Sequence, residues 1–205
     1  MKKFVLILCA TLLLVPSCKK NNGDSQKDGN QPGSPQYSTQ DVNAVDLGLS
    51  VLWADRNIGA ESPEDPGHFF AWGETTPRAC FAFARPYIFD NIDAPKILSG
   101  KYDTATALWG DGWRMPTKAE FLALFGLQRE QKKDDGDKLV GVSLSGNGHS
   151  IYIPVADLSS TYRSLGLWTS ERGDAQEWAS CVDFVGGITT ARREYAHAIR
   201  PVKDK

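Results

Sequence analysis

The shortness of the apolar runs is the feature that most constrains how this chain folds. Beyond residue 43, turn-forming residues interrupt the hydrophobic runs repeatedly, and no internal repeat of fixed period is present. The 205 residues include 19 Gly and 11 Pro. Gly permits positive φ and Pro fixes φ, so both residues favour turns. Apolar runs of this length indicate short strands more often than long helices.

Local signals predict two helices among these strands. Thr117 and Glu120 form the sequence pattern of a capping box, which predicts a helix that ends near Gly126. A first helix is expected from Asp103 to Leu108. The remaining signals are those of strands, with a hairpin turn at 146–148. The expected fold class is therefore a compact α+β domain with two helices and several short, mostly antiparallel strands.

The N-terminus has the layout of a bacterial lipoprotein signal. Lys2 and Lys3 precede an apolar stretch from Phe4 to Val15, which is too short for a transmembrane helix. Ser17-Cys18 then resembles a lipobox, in which the cysteine is acylated. We expect residues 1–17 to be a signal peptide and Cys18 to carry lipid such as palmitate. An ordinary signal peptide with an incidental cysteine is the alternative.

The segment 18–42 is rich in polar residues, Gly and Pro, and is predicted to be a flexible tether before a single domain at 43–205. No aspartate follows Cys18 directly, which favours the outer membrane of the cell envelope, on either its periplasmic or its surface face. The formal net charge of −2 gives no electrostatic case for nucleic acid. The expected partner is a membrane, to which the N-terminal lipid attaches the protein.

Ordered motifs along the domain resemble a known family. They are Val45-Asp46-Leu47-Gly48-Leu49, Asn57-Ile58-Gly59-Ala60, Phe70-Ala71-Trp72-Gly73-Glu74-Thr75, Trp113-Arg114-Met115-Pro116-Thr117, Leu167-Trp168-Thr169-Ser170 and Ile199-Arg200-Pro201-Val202. Together they resemble the Fibrobacter succinogenes major paralogous domain family, found on bacterial lipoproteins. The resemblance implies an extracytoplasmic domain of C-type-lectin-like fold without an established catalytic role.

The usual signatures of catalysis are missing from the sequence. His68, His149 and His197 are not spaced as metal ligands, and no nucleophile elbow or phosphate-binding loop occurs. The Asn or Glu pairs beside proline and the Trp-Asn-Asp strand of calcium-dependent lectins are also absent. We therefore expect neither a metal nor a cofactor, and no enzymatic activity.

A polar loop near the C-terminus is the candidate ligand site. Trp168 and Trp178 flank residues 170–176, and the resemblance implies that late loops carry binding. The predicted ligand residues are Trp168, Glu171, Arg172 and Asp174. The alternative is that Trp168 belongs to the core, as we expect for Trp53, Trp72, Trp109 and Trp113.

The cysteine count leaves a disulfide open. Cys80 and Cys181 are the cysteines that remain after Cys18, and the cell envelope permits disulfides. Cys181 is equally compatible with a buried thiol. The charged Glu74 and Arg114 stand within aromatic motifs and are expected to pair with each other or with backbone groups.

Two functions are compatible with these observations. The first is a lipid-anchored, non-enzymatic binding module, an adhesin-like head for a glycan or protein ligand. The second is a hydrolase of envelope or dietary glycans that uses paired carboxylates. A purely structural envelope component is a third possibility.

Overall fold

Small antiparallel sheets, with few helices, make up most of the structure. The computed structural model describes residues 37–79, 86–90, 92–110, 112–155, 166–182 and 187–205. Within these ranges 38% of the residues lie in strands and 12% are helical. The predicted fold class is therefore wrong, because a compact two-helix α+β domain of C-type-lectin-like type is not shown. Short apolar runs produce several small sheets, and the helices contribute little of the framework.

The first sheet places the C-terminus of the chain next to its N-terminal hairpin. Its strands are β1 (Ala44–Val45), β2 (Val51–Ala54), β4 (Trp113–Arg114) and β12 (Val202–Asp204). Their order is β1-β2-β12-β4, and all pairs are antiparallel. Val202 of β12 pairs with Trp53 on one side and with Arg114 on the other. The sheet therefore depends on contacts between the two ends of the domain.

The second sheet contains a predicted hairpin and a strand that the sequence pattern missed. Its strands are β5 (Gln128–Lys133), β6 (Leu139–Gly146) and β7 (His149–Pro154), in that order. Asn147 and Gly148 connect β6 and β7 with φ values of 51° and 76°. Positive φ at both positions is typical of a type I′ turn, so the hairpin prediction is confirmed. Strand β5 is almost wholly polar and exposed, and therefore has no hydrophobic alternation to reveal it.

The candidate site lies on the third sheet. That sheet consists of β8 (Leu167–Arg172), β9 (Trp178–Val182) and β10 (Ile188–Arg192), in the order β10-β9-β8. A two-stranded sheet joins β3 (Phe70–Ala71) to β11 (Ala196–His197). The stretch 196–202 is therefore divided between β11 and β12, which belong to different sheets.

Both predicted helices are present, and each has a side-chain cap. Helix α1 spans Thr104–Trp109 and helix α2 spans Lys118–Phe125. Thr117 and Glu120 form the predicted capping box of α2. The buried Asp103 carboxylate accepts hydrogen bonds from the N–H groups of Thr106 and Met115. Desolvation raises the pKa of Asp103, so these bonds satisfy a carboxyl group that burial alone would disfavour in its charged form.

No helix in the described part of the chain is long and apolar enough to cross a membrane.

Two hydrophobic clusters form the core. One contains Trp72, Trp109, Trp113 and Trp168, and the other is organised around Trp53 and Phe121. The four tryptophans expected in the core are buried, which confirms that prediction. The packed chain also extends before residue 43, since Tyr37 is buried and its hydroxyl hydrogen-bonds His68 Nδ1 at 2.8 Å.

The two charged residues within aromatic motifs do not pair with each other. Glu74 pairs with Arg78 at 2.7 Å. Arg114 instead forms ion pairs with Glu120 at 2.6 Å and with Asp204 at 2.7 Å. The Arg114 side chain thus connects the capping box of α2 to the C-terminal strand β12.

Arg200 is a fully buried cation whose three guanidinium nitrogens all donate hydrogen bonds. Its Nε donates to Asn57 Oδ1 at 2.8 Å, its Nη1 to the Ala54 carbonyl at 3.0 Å, and its Nη2 to the Tyr152 carbonyl at 2.8 Å. Burial lowers the pKa of Arg200 to about 9, so the guanidinium remains protonated at neutral pH. The side chain therefore links β2, β7 and the C-terminal segment in the interior.

Candidate functional site

The end of strand β8 is held between two other parts of the chain. Segment 96–98 runs beside it: Leu98 N–H donates to the Ser170 carbonyl at 2.8 Å, and Arg172 N–H donates to the Lys96 carbonyl at 2.9 Å. On the other side, Ser170 N–H donates to the Pro116 carbonyl at 2.7 Å. These backbone bonds fix the residues that follow Ser170 next to the start of helix α2.

A cleft of about 370 Å³ opens at this junction, and we call it the β8 cleft. It is lined by Lys96, Ile97, Lys118, Glu171, Arg172, Gly173 and Asp174. Three of the four predicted ligand residues, namely Glu171, Arg172 and Asp174, therefore lie together. Charged side chains of both signs suit the cleft to a polar ligand. The exposed side chain of Ile97 adds one apolar contact.

Glu171 also has a structural role that the sequence pattern does not indicate. Its Oε2 accepts a hydrogen bond at 2.8 Å from the backbone N–H of Lys118, the first residue of helix α2. The first N–H groups of a helix have no partner within the helix, and a carboxylate at this end also interacts favourably with the helix dipole. Glu171 therefore complements the Thr117–Glu120 capping box from another part of the chain.

Arg172 is fixed at the cleft with unused hydrogen-bonding capacity. Its Nη1 donates to the Ala94 carbonyl at 3.1 Å. Its Nε is buried and has no hydrogen-bond partner within the ranges that the structure describes. A buried donor without a partner carries a desolvation cost, which a ligand or an ordered water would relieve.

Trp168 is not part of the cleft. Its side chain has 0% exposure, and its Nε1 donates to the Phe70 carbonyl at 2.8 Å. Its ring packs edge-on against His197, with 4.3 Å between ring centroids. The prediction that Trp168 contacts a ligand is wrong, because β8 directs this side chain into the core. Trp178, in contrast, is 40% exposed.

His197 is neutral in this environment. Burial lowers the pKa of His197 to about 3, because a charged imidazole would lose its hydration there. Within the described residues, no group of three or more His, Cys, Asp or Glu side chains is placed to hold a metal ion.

The predicted cysteine sites are only partly within the structure. Cys181 is buried in β9, whereas Cys18 and Cys80 lie outside the described residues. Lipidation of Cys18 and pairing of Cys80 with Cys181 therefore stay predictions.

The two lysines of the cleft, Lys96 and Lys118, were not singled out in the sequence. The capping box predicts the position of Lys118 in helix α2, but it does not indicate which strand the helix contacts. Only the contact between α2 and β8 places Lys118 near the site. Lys96 belongs to a segment without periodic pattern, and no sequence signal indicates that it pairs with β8.

Comparisons with protein-family models, with curated proteins and with solved structures give no match. The family resemblance of the aromatic motifs therefore stays a prediction.

Proposed function

We propose that this protein is a lipid-anchored, extracytoplasmic binding module without enzymatic activity, and that it recognises a polar glycan or protein ligand at the β8 cleft. The observation that carries this proposal is the convergence of Arg172 and Asp174 with Lys96 and Lys118 around one cleft. Arg172 is held there by its bond to Ala94 while its Nε lacks a partner. A donor that is fixed before binding costs little conformational entropy when a ligand engages it.

The cleft favours binding over hydrolysis. A hydrolase of the kind considered above requires two carboxylates that are free to act on the two sides of one bond. Glu171 and Asp174 supply the carboxylates of this cleft, and Glu171 holds the N-terminus of helix α2. Hydrolysis would therefore require the helix cap to take part in proton transfer.

Binding can be tested with the full-length protein on an array of neutral and charged glycans and of envelope proteins. Variants Arg172→Gln and Asp174→Asn remove a charge while nearly preserving side-chain size. We expect each to weaken ligand capture about tenfold, the effect of one lost charge-assisted hydrogen bond. Asp174→Asn, at an exposed position, should leave Tm unchanged, whereas Arg172→Gln also removes the donor to the Ala94 carbonyl and should lower Tm slightly. Lys133→Gln, on the exposed strand β5, is the matched control. Normal capture by both cleft variants would contradict the site.

The lipid anchor can be tested separately. Cells that express the wild-type chain or the Cys18→Ala chain are labelled with an alkyne fatty acid. Label should be lost in Cys18→Ala and retained in Cys9→Ala, which removes the other N-terminal cysteine. Label retained by Cys18→Ala would exclude this cysteine as the acylated residue.

A further inference from the structure

A second cleft is lined by a different set of residues, and we call it the Arg193 cleft. Its volume is about 480 Å³, within the usual range for small-molecule sites. It is lined by Phe89, Asp90, Ile92, Asp93, Gln176 and Arg193. None of these residues lines the β8 cleft.

Arg193 is buried at this cleft and rigidly held. Its exposure is 8%. Its N–H donates to the Glu177 carbonyl at 3.1 Å, and its own carbonyl accepts from Trp72 N–H at 2.9 Å. The guanidinium packs over the rings of Tyr87 and Phe89, with its central carbon 5.4 Å and 5.6 Å from their centroids. Such packing stabilises the cation at this position.

One guanidinium nitrogen of Arg193 remains unsatisfied. Nη2 donates to the Phe89 carbonyl at 3.1 Å. Nη1 is buried, and no residue in the described ranges accepts a hydrogen bond from it. A fixed donor of this kind is costly to the folded protein unless water or a ligand completes it.

Gln176 provides the complementary acceptor. Its Nε2 donates to Asp93 Oδ1 at 3.2 Å, which orients the side-chain amide. Its Oε1 is buried, and no donor for it is found in the described part of the chain. One cleft therefore contains an unsatisfied donor on Arg193 and an unsatisfied acceptor on Gln176.

We propose that the Arg193 cleft binds a neutral sugar through its hydroxyl groups. A hydroxyl accepts one hydrogen bond while it donates another, so adjacent hydroxyls of a pyranose ring match Arg193 Nη1 and Gln176 Oε1 together. The half-exposed side chain of Ile92 offers an apolar contact for the C–H face of the ring. This site is independent of the function proposed for the β8 cleft.

The charges of the lining select against other ligands. The cleft is lined by two carboxylates, those of Asp90 and Asp93, and by one guanidinium, so an anionic ligand meets net repulsion. These carboxylate oxygens are acceptors only, and a ligand that presents several donors suits them. A sugar carries more donors around one ring than a peptide side-chain amide does. We therefore favour a sugar over a segment of a protein partner.

The test is saturation-transfer NMR with the full-length protein in a zwitterionic detergent that contains no sugar group. Glucose, galactose and mannose are the probes, with glucuronate and N-acetyl-asparagine methylamide as the acidic and peptide-like comparisons. We expect saturable binding of at least one neutral sugar. Gln176→Leu removes the acceptor and should weaken that binding about tenfold. Gln131→Leu, the same change on exposed β5, should leave it unchanged.

Three results would overturn the proposal: no saturable binding of any neutral sugar, unchanged affinity in Gln176→Leu, or tighter binding of glucuronate or of the asparagine derivative. Arg193→Lys removes the Nη1 donor and provides a second test. If Arg193→Lys does not fold, Gln176→Leu is sufficient for the test. Arg172→Gln should leave the sugar affinity of this cleft unchanged. Failure of the β8 cleft as a ligand site is thereby distinguishable from failure of this one.

Discussion

Arg193 and Arg200 are both buried, but their surroundings differ in one respect. All three guanidinium nitrogens of Arg200 donate to protein oxygens, and its exposure is 0%. Arg193 keeps one nitrogen without a partner in the described residues, and it lines a cleft. A buried cation whose nitrogens all donate to protein oxygens stabilises the tertiary arrangement, whereas one with an unpartnered nitrogen at a cleft is suited to bind another molecule. Burial of a charge by itself therefore does not distinguish structure from function here.

The largest expected effect is that of removing Arg200. Arg200→Met nearly preserves the volume and leaves three oxygens, of Asn57, Ala54 and Tyr152, without this donor. We expect a loss of about 3–5 kcal/mol in the free energy of unfolding, because buried acceptors are left unsatisfied. Urea denaturation measures this loss. A loss below about 1 kcal/mol would contradict the structural role assigned to Arg200.

His197, which lies between the two arginines in the sequence, is a buried base that is neutral in the folded protein, and this makes stability depend on pH. The pKa of His197 is about 3 in the folded protein and about 6.5 in the unfolded chain. The unfolded chain therefore binds the extra proton in this window. Stability should be fully present above about pH 6.5 and fall by about 1.4 kcal/mol per pH unit as the pH decreases toward 3.

Urea denaturation between pH 7 and pH 4 measures this slope. His197→Phe should have a shallower pH dependence than the wild type, since it removes the group that titrates only after unfolding. His149→Gln, at an exposed position, should retain the wild-type slope. Equal slopes in all three proteins would show that His197 is accessible to protons in the folded state.

Removing Arg193 should cost much less than removing Arg200. Arg193→Met leaves only the Phe89 carbonyl without its donor, and it also eliminates the unsatisfied Nη1. We expect a loss of about 1 kcal/mol, mainly from the packing over Tyr87 and Phe89. Parallel denaturation of Arg193→Met and Arg200→Met gives the contrast directly. Equal losses would mean that both arginines are structural.

The smallest effect concerns Glu171, which both lines the β8 cleft and caps helix α2. Glu171→Ala removes a carboxylate from the N-terminus of helix α2, and we expect a loss of about 1 kcal/mol. Asp174→Ala, at an exposed position of the same cleft, should change stability by no more than about 0.5 kcal/mol. Thermal denaturation compares the two variants. Loss of ligand capture in Asp174→Ala together with retained stability would separate binding from capping within this cleft.

Part of the candidate site was predictable from the sequence. The polar stretch 170–176 indicated Glu171, Arg172 and Asp174, and these residues do line one cleft. The same reasoning placed Trp168 at the cleft, although its side chain points into the core. An aromatic residue at the end of a strand has the same sequence context in either case, and only packing against Phe70 and His197 decides its direction.

Gln176 belongs to the predicted ligand loop 170–176 but was not singled out within it. Arg193 follows strand β10 without a motif. Their importance depends on which hydrogen-bond partners they lack, and that can be known only when all neighbours are in place.

The sequence by itself determined the features that depend on bonds between near neighbours. These are the capping box at Thr117 and the positive-φ turn at 147–148. Side-chain hydrophobicity also indicated the burial of most tryptophans. The tertiary structure decided the partners of β12, the pairing of polar β5, the capping role of Glu171 and the contrast between Arg193 and Arg200. The physical reason is the range of the interactions. Propensity and capping act within a turn of chain, whereas strand partners and the satisfaction of buried charges depend on residues far apart in the sequence.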